Sequence, residues 1–184
     1  MTTTFKQAPS VFKLALMTAM VVCAAGVSIQ SQAAQATAQA TGTVVAPIAI
    51  AAASNLTFGS FAPGAGGTVT VSTSGARTTT SPVLLTGAPT TAARFNITGA
   101  PNTTYSISHS GTAVLTNTAG AGETMTLTKF SDLTAANSTS GMVIAGTLGI
   151  GGAQSLYVGG TLTVASNQVP GLYDGNVIAT VEYN

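Results

Sequence analysis

The residue types that carry most enzymatic chemistry are scarce in this chain and do not cluster. The one histidine, His109, falls in the alternating run "TYSISHS" on the same face as Tyr105 and Ile107, a position typical of a core or edge histidine. The four carboxylates stand singly, at Glu123, Asp132, Asp174 and Glu182. A glycosidase needs two carboxylates across a cleft, and a metal site needs clustered ligands. The sequence therefore predicts a protein that is not an enzyme and has no catalytic residue, metal site or cofactor.

The first 36 residues have the layout of a secretory signal peptide. Lys6 and Lys13 precede the uncharged run "LALMTAMVVCAAGVSI", and small-residue cleavage patterns end at Ala33, Ala36 or Ala40. The run is short for a membrane-spanning helix and is diluted by small and polar residues, which favours a cleaved signal over a membrane anchor. We expect cleavage between about residues 33 and 40. The mature protein would then pass through the periplasm to the cell exterior or surface, without a membrane span.

The chain beyond the signal peptide carries little charge. Arg77, Arg94 and Lys129 face four carboxylates, so the mature side chains sum to 3 − 4 = −1. Charged residues make up 5% of the chain, against about 25% in a typical soluble domain. Three cations cannot form the basic stripe that neutralises phosphates, which excludes nucleic acid as a partner. The only cysteine, Cys23, lies in the signal segment, so the mature protein has no disulfide.

Strict alternation of apolar and polar residues recurs along the rest of the sequence and predicts β-strands. The clearest runs are "GTVTVST", "ARFNITG", "TYSISHS", "ETMTLTKF", "SLYVGGTLTVAS" and "GNVIATVEYN". We interpret the fifth run as two short strands separated by a Gly pair. Gly- and Pro-rich turns separate the runs, such as "APGAGG" and "NQVPGLYDG". The pattern predicts an all-β, antiparallel β-sandwich of about nine to ten strands in one domain, residues 43–184, after a flexible leader at 37–42.

The two ends of this domain carry the patterns that bear most directly on function. At the front, "TGTVVAPIAI" places Val44, Ala46, Ile48 and Ile50 on one face of an extended segment. At the back, Val177, Ala179, Val181 and Tyr183 alternate with polar residues, which predicts a core-facing C-terminal strand. The front segment, residues 43–51, suits the first strand of its own sandwich, because every sandwich has such a strand.

Two longer stretches resemble a known family. "VVAPIAIAAASNLTFGSFAPG" and "LYVGGTLTVASNQVPGLYDGNVIATVEYN" are similar to a bacterial secreted family of unknown function, related in pattern to Mat/Ecp-type fimbrial major subunits and spore-coat-U-like secreted proteins. The resemblance implies an immunoglobulin-like sandwich and a role as a fimbrial or pilus subunit on the bacterial cell surface. It also implies a homo-polymer, with a periplasmic chaperone and an outer-membrane usher as assembly partners.

The resemblance adds a second interpretation of residues 43–51. In pilin-like assemblies a segment of one subunit completes the sheet of its neighbour, and here Val44, Ala46, Ile48 and Ile50 would fill the neighbour's pockets. The two interpretations of this segment stay open at the level of sequence. A further alternative is a monomeric secreted module that binds carbohydrate or a surface, which the absence of tryptophan disfavours.

Overall fold

The computed structural model describes residues 33–120 and 122–184. The predicted signal peptide, residues 1–36, lies outside the described residues except for 33–36. Residues 33–42 are exposed and form neither helix nor strand. All strands lie in the unit Thr43–Asn184. The described part of the chain contains no helix that is long and apolar enough to span a membrane.

The strands confirm the predicted all-β, antiparallel sandwich. Three strands, β2, β5 and β12, have only two residues, so 13 − 3 = 10 longer strands remain, in agreement with the predicted number. The strands are β1 Ala49–Ser54, β2 Phe61–Ala62, β3 Gly67–Val71, β4 Arg77–Thr79, β5 Val83–Leu84, β6 Ala93–Thr98, β7 Thr104–Gly111, β8 Val114–Asn117, β9 Thr124–Asp132, β10 Ala145–Thr147, β11 Ala153–Val164, β12 Tyr173–Asp174 and β13 Val177–Tyr183.

The strands form one large sheet, one three-stranded sheet and one small ribbon. The large sheet has the order β1-β6-β11-β9-β8-β12, with β3 paired to β11 and β4 paired to β3. The second sheet has the order β10-β7-β13, and β2 pairs with β5. Both β1 and β13 are therefore edge strands of their sheets.

The long strand β11 is shared by two neighbours along one of its sides. Its first half pairs with β6 up to Val158, and its second half pairs with β3 from Gly160 onward. The sequence pattern predicted two short strands separated by the Gly159–Gly160 pair, and this prediction was wrong because the strand is continuous. The glycines instead allow close packing, because a Cβ at Gly159 would collide with the Phe130 ring and one at Gly160 would crowd Leu127.

Two apolar cores fill the sandwich. The first core lies between β6, β7, the first half of β11 and β13, and its fully buried members include Ile97, Tyr105 and Leu156. The second core lies under β3, β9 and the second half of β11, and includes Val69, Leu127 and Leu162. Each fully buried aliphatic side chain contributes about 1.5–3 kcal/mol. Leu56 packs against both cores and joins them.

Two of the few cations bind main-chain carbonyl groups. The Arg77 guanidinium donates to the carbonyls of Phe58 at 2.9 Å, Ser60 at 3.2 Å and Leu85 at 3.1 Å, which fastens the β2–β5 ribbon to β4. The Lys129 ammonium donates to the carbonyls of Ser110 at 2.7 Å and Thr112 at 3.2 Å, where β7 ends. These charges therefore stabilise the segments next to the β2–β5 ribbon and the end of β7.

Candidate functional site

The C-terminal strand β13 has one side with no ladder among the described residues. Its other side pairs with β7, where the Thr112 N–H donates to the Asn176 carbonyl at 2.9 Å and the Asn184 N–H to the Thr104 carbonyl at 3.4 Å. Antiparallel strands alternate residues that bond to the partner with residues whose N–H and C=O point away. Even-numbered residues of β13 therefore bond to β7, and odd-numbered residues direct their main-chain groups to the free side.

The same odd-numbered residues direct their side chains to the first core. Val181 is buried, and the other three are half-buried against that core. They are the four residues predicted for the C-terminal core strand: Val177, Ala179, Val181 and Tyr183. The free side of β13 thus combines a row of unpaired main-chain groups with an apolar floor.

The edge strand β1 lies on the same side of the sandwich and runs in the opposite direction to β13. Near its beginning, the Tyr183 hydroxyl donates to the Ala46 carbonyl, and at its end Ser54 and Val177 line one groove. No ladder joins β1 to β13 in the described part of the chain. We call the space between these two strands the β1–β13 cleft.

The cleft opens at one end into a groove of about 950 Å³. Its wall contains Ala52 and Ser54 from β1, Val177 from β13, and residues 55–63 and 168–176. Its floor is the second core, through the side chains of Phe58, Leu115, Met125, Leu127 and Leu162. Polar and apolar atoms share the exposed lining, and the floor supplies part of the apolar surface. The volume is large enough to enclose an apolar side chain.

Hydrogen bonds hold the loop that forms one wall of the groove. The Tyr173 hydroxyl donates to the Val169 carbonyl at 2.8 Å, and the Gln168 side-chain amide donates to the same hydroxyl at 2.7 Å. The Thr118 N–H donates to the Leu172 carbonyl at 2.9 Å. The groove is therefore a preformed feature of the fold.

The opposite end of the cleft is closed by the Tyr183 hydroxyl. It donates to the Ala46 carbonyl at 2.8 Å and accepts the Ala100 N–H at 2.6 Å. A Cβ at Gly99 would collide with this hydroxyl, so the turn at Gly99 gives it room. Tyr183 therefore fixes the point where the N-terminal segment leaves the sandwich, and we call this the anchor end of the molecule.

The four residues of the predicted donor segment divide into two pairs. The Val44 side chain is 99% exposed, and Ala46 is also exposed. Ile48 and Ile50 are half-buried against the first core, and Ile50 pairs with Ile97 in the β1–β6 ladder. The regular strand begins at Ala49. In the single chain the last part of segment 43–51 thus belongs to its own sandwich, and the side chains of residues 43–47 are exposed.

Residues 48–183 match a family model described as "Domain of unknown function (DUF4402)". The chain belongs to this family. The match begins at Ile48, the first residue that packs on the core, and ends with β13 at Tyr183. The DUF4402 domain thus contains all thirteen strands found in residues 33–120 and 122–184, and leaves the exposed residues 33–47 outside. A comparison with curated proteins finds no match.

The scarce reactive side chains of the DUF4402 domain make structural bonds. The His109 ring nitrogen Nε2 lies 2.8 Å from the Val143 carbonyl and 3.4 Å from the Ser131 hydroxyl. The Asp132 carboxylate accepts hydrogen bonds from its own loop and from Thr73. Among the described residues no three His, Cys, Asp or Glu side chains come together.

The groove is the part of the DUF4402 site that sequence reasoning missed. Its floor residues alternate along β8, β9 and β11, but alternation shows only that a residue faces inward. The wall residues Gln168 and Tyr173 fall in "NQVPGLYDG", which has the composition of a turn. The Tyr173 side chain in that turn is the signal that could have suggested a loop packed against the domain rather than a solvent-exposed turn.

Proposed function

We propose that this protein is an exported, non-enzymatic structural subunit of a bacterial cell-surface assembly, a fimbrial or pilus subunit that polymerises by β-strand addition. The segment before Ile48 of one copy pairs with the free side of β13 in the next copy. The observation that carries the proposal is the unpaired side of β13, set over an apolar cleft that opens into the groove.

The chemistry of β13 supports strand addition as the mode of assembly. An exposed strand edge is a template for another chain, and proteins usually protect it with charges, proline or a bulge. Among the seven residues of β13, the only charged side chain is Glu182, which points away from the cleft. An added strand would gain main-chain hydrogen bonds along β13 and would place alternate side chains over the cleft.

The free segment supplies side chains that suit the groove. Val44 is 99% exposed and Val45 is 57% exposed, so neither gains from its own domain. Because successive side chains of an added strand point to opposite faces, Val44 would enter the groove. Its burial would contribute about 1.5–3 kcal/mol of transfer free energy, before the cost of ordering the segment is subtracted. Ile48 and Ile50 pack on their own core. Because the Ala46 carbonyl also accepts the hydroxyl of Tyr183 in its own subunit, the donor part ends at Val45 in this proposal.

The position of Val44 determines in which direction the donor segment runs along β13 of the acceptor. If Val44 fills the groove, the residues before it extend along β13 toward the anchor end of the acceptor. The donor then runs antiparallel to β13, the more stable type of ladder. This contact joins two different surfaces and does not close on itself, so it generates a filament.

The remaining parts of the proposal concern export and partners. The predicted signal peptide would send the chain to the periplasm and then to the outer surface. A periplasmic chaperone would cover the β1–β13 cleft in transit, and an outer-membrane usher would exchange it for the next subunit. These roles follow from the resemblance to Mat/Ecp-type fimbrial subunits and spore-coat-U-like proteins.

A truncation pair tests the proposed function. We compare a chain that starts at residue 37 with one that starts at residue 46, by size-exclusion chromatography and negative-stain microscopy at high concentration. Both should fold alike, because the residues removed are exposed and form no strand. Only the longer chain should form filaments. Equal assembly of both chains, or no assembly by either, would overturn the proposal.

A peptide in trans tests the acceptor directly. A fluorescent peptide of residues 37–48 should bind the chain that starts at residue 46 and slow its unfolding. A peptide with Val44→Ser and Val45→Ser is the matched control, and it should bind much more weakly because it lacks the valine side chain that would enter the groove. Equal binding of both peptides would show that the groove does not accept this segment.

A further inference from the structure

The anchor end of the molecule presents one large apolar side chain on a rigid turn. Ile150 is 90% exposed and stands between Gly149 and Gly151 in the turn that connects β10 to β11. Main-chain hydrogen bonds tie this turn to the neighbouring turn, from the Gly99 N–H to the Gly152 carbonyl at 2.8 Å and from the Asn102 N–H to the Leu148 carbonyl at 3.1 Å. The exposure of Ile150 therefore does not come from a loose loop.

The groove end presents a second exposed apolar group. Leu172 is 71% exposed and Val169 is 41% exposed, both in the loop that the Tyr173 hydroxyl and the Thr118 N–H hold in place. We call this group the Val169–Leu172 loop. It forms one wall of the groove, so any copy whose segment fills the groove must approach it.

The two apolar groups lie at opposite ends of β11. The Ile150 turn directly precedes Ala153, the first residue of β11, and the Val169–Leu172 loop follows its last residue, Val164. A strand of twelve residues spans about 36–40 Å at roughly 3.3 Å per residue. One molecule therefore cannot bring its own Ile150 to its own Leu172.

We propose that the Ile150 turn of one copy packs against the Val169–Leu172 loop of the next copy in the filament. This inference rests on the proposed function. The donor segment leaves its subunit at Ala46, which Tyr183 holds at the same end as the Ile150 turn. Val45 and Val44 lie one and two residues before Ala46. Insertion of Val44 into a groove therefore draws the anchor end of the donor copy against the groove end of the acceptor.

The expected partner is a second copy of this chain, and the contact is a supplement to the strand joint. The joint alone leaves adjacent subunits free to swivel about a short connection at Ala46 and Pro47. Apolar contact between Ile150 and Leu172 would remove this freedom and fix the angle between successive subunits. This contact explains why the two side chains are exposed in the single chain: they lie at the two ends of the molecule that strand addition would bring together.

Cysteine cross-linking tests this interface in the full, exported protein. The only natural cysteine, Cys23, lies in the segment expected to be removed, so introduced cysteines are the only thiols of the mature chain. Filaments of the double variant Ile150→Cys with Leu172→Cys are treated with an oxidant or a short bis-maleimide. Because the two positions are far apart within one molecule, a bond must join two copies. We expect a ladder in steps of one subunit on a denaturing gel.

The matched control is the double variant Ile144→Cys with Leu172→Cys. Ile144 is 72% exposed but precedes β10 on the side of the molecule, away from both ends of β11. This control should form filaments without a ladder. Filaments of the test variant that cross-link no more than the control would overturn the interface and leave strand addition standing. If the parent protein formed no filaments, both the proposed function and this interface would fail.

Discussion

Two tyrosines at the first core differ in what their hydroxyl groups contact. The Tyr105 side chain is fully buried, and its hydroxyl has no hydrogen-bond partner among the described residues. Burial raises the pKa of this phenol, so it stays neutral. The Tyr183 hydroxyl, in contrast, donates to Ala46 and accepts from Ala100. The Tyr183 hydroxyl therefore stabilises the fold, whereas the buried Tyr105 hydroxyl destabilises it.

The Tyr→Phe substitutions should separate these contributions. Tyr105→Phe removes a buried polar group that has no partner, and should leave the free energy of unfolding unchanged or raise it by up to about 1 kcal/mol. Tyr183→Phe removes two hydrogen bonds and should lower it by about 1–2 kcal/mol. Urea unfolding at neutral pH measures both. Equal destabilisation by the two variants would contradict the assignment.

Asp132 organises the loop that follows β9. Its carboxylate accepts the Thr134 N–H at 2.9 Å, the Ala135 N–H at 2.6 Å and the Ala136 N–H at 3.1 Å, together with the Thr73 hydroxyl. Burial raises the pKa of this carboxyl, but the hydrogen bonds from Thr73, Thr134, Ser138 and Ala135 outweigh it, so the pKa is lower than its ordinary value. These bonds need the ionised form.

Stability should therefore depend on the protonation of Asp132. The folded pKa is below the unfolded value, so the contribution is fully present above the unfolded pKa of about 4 and is lost as pH falls through the folded pKa. Asp132→Asn should lower the free energy of unfolding by about 1 kcal/mol at pH 7. This is a small effect for hydrogen bonds to a charged group, because water reaches the carboxylate. In this variant the free energy of unfolding should also fall less steeply as the pH drops below about 4. An unchanged acid profile in this variant would refute the argument.

At the scale of elements, odd- and even-numbered residues of β13 direct their N–H groups to opposite sides of the strand. Two proline substitutions at neighbouring positions therefore test strand addition. The Ala179 N–H points to the free side, whereas the Thr180 N–H points to β7. Ala179→Pro should leave the monomer folded with a small loss of stability, because a proline is tolerated where the N–H faces away from the ladder. It should abolish binding of the peptide of residues 37–48.

The companion variant Thr180→Pro removes a bond to β7. It should lower the free energy of unfolding by more than about 2 kcal/mol, because an internal ladder bond is lost and a carbonyl is left unpaired. Circular dichroism melts measure stability, and fluorescence anisotropy measures peptide binding. If Ala179→Pro bound the peptide as well as the parent, strand addition on β13 would be wrong.

Long strands could be predicted from the sequence because each one alternates over a buried face. β3, β6, β7, β9 and β13 lie where "GTVTVST", "ARFNITG", "TYSISHS", "ETMTLTKF" and "GNVIATVEYN" predicted strands. Two-residue strands such as β2 and β12 could not be predicted, because their partners create them. The Gly159–Gly160 pair misled the prediction because close packing and tight turns both select glycine.

Less of the candidate site could be predicted. The segment with Val44 and the strand with Val181 were evident from alternation alone. The division of residues 43–51 between Pro47 and Ile48 was not, because it depends on where the first core ends and on the Tyr183 hydroxyl. The groove depends on residues far apart in the chain, such as Phe58 and Leu172, whose meeting no local pattern encodes.

For the whole molecule, the continuous strand β11 predicts a single unfolding transition. It crosses both cores, and Leu56 packs on each of them. Leu156→Ala in the first core and Leu162→Ala in the second should each cost about 2–5 kcal/mol and shift the same transition. Calorimetry checks this. Two resolved transitions in either variant would show that the cores unfold separately.

Because Arg77 and Lys129 bind neutral carbonyl groups, we expect the stability of this protein to depend little on ionic strength. Dissolved salt weakens attraction between separated charges, with a screening distance of about 8 Å at physiological concentration. A cation that touches a neutral carbonyl dipole at 2.7–3.2 Å has no opposite charge to be screened. The melting midpoint should thus move little between dilute buffer and molar sodium chloride, so the fold would be about as stable in fresh water as in brine.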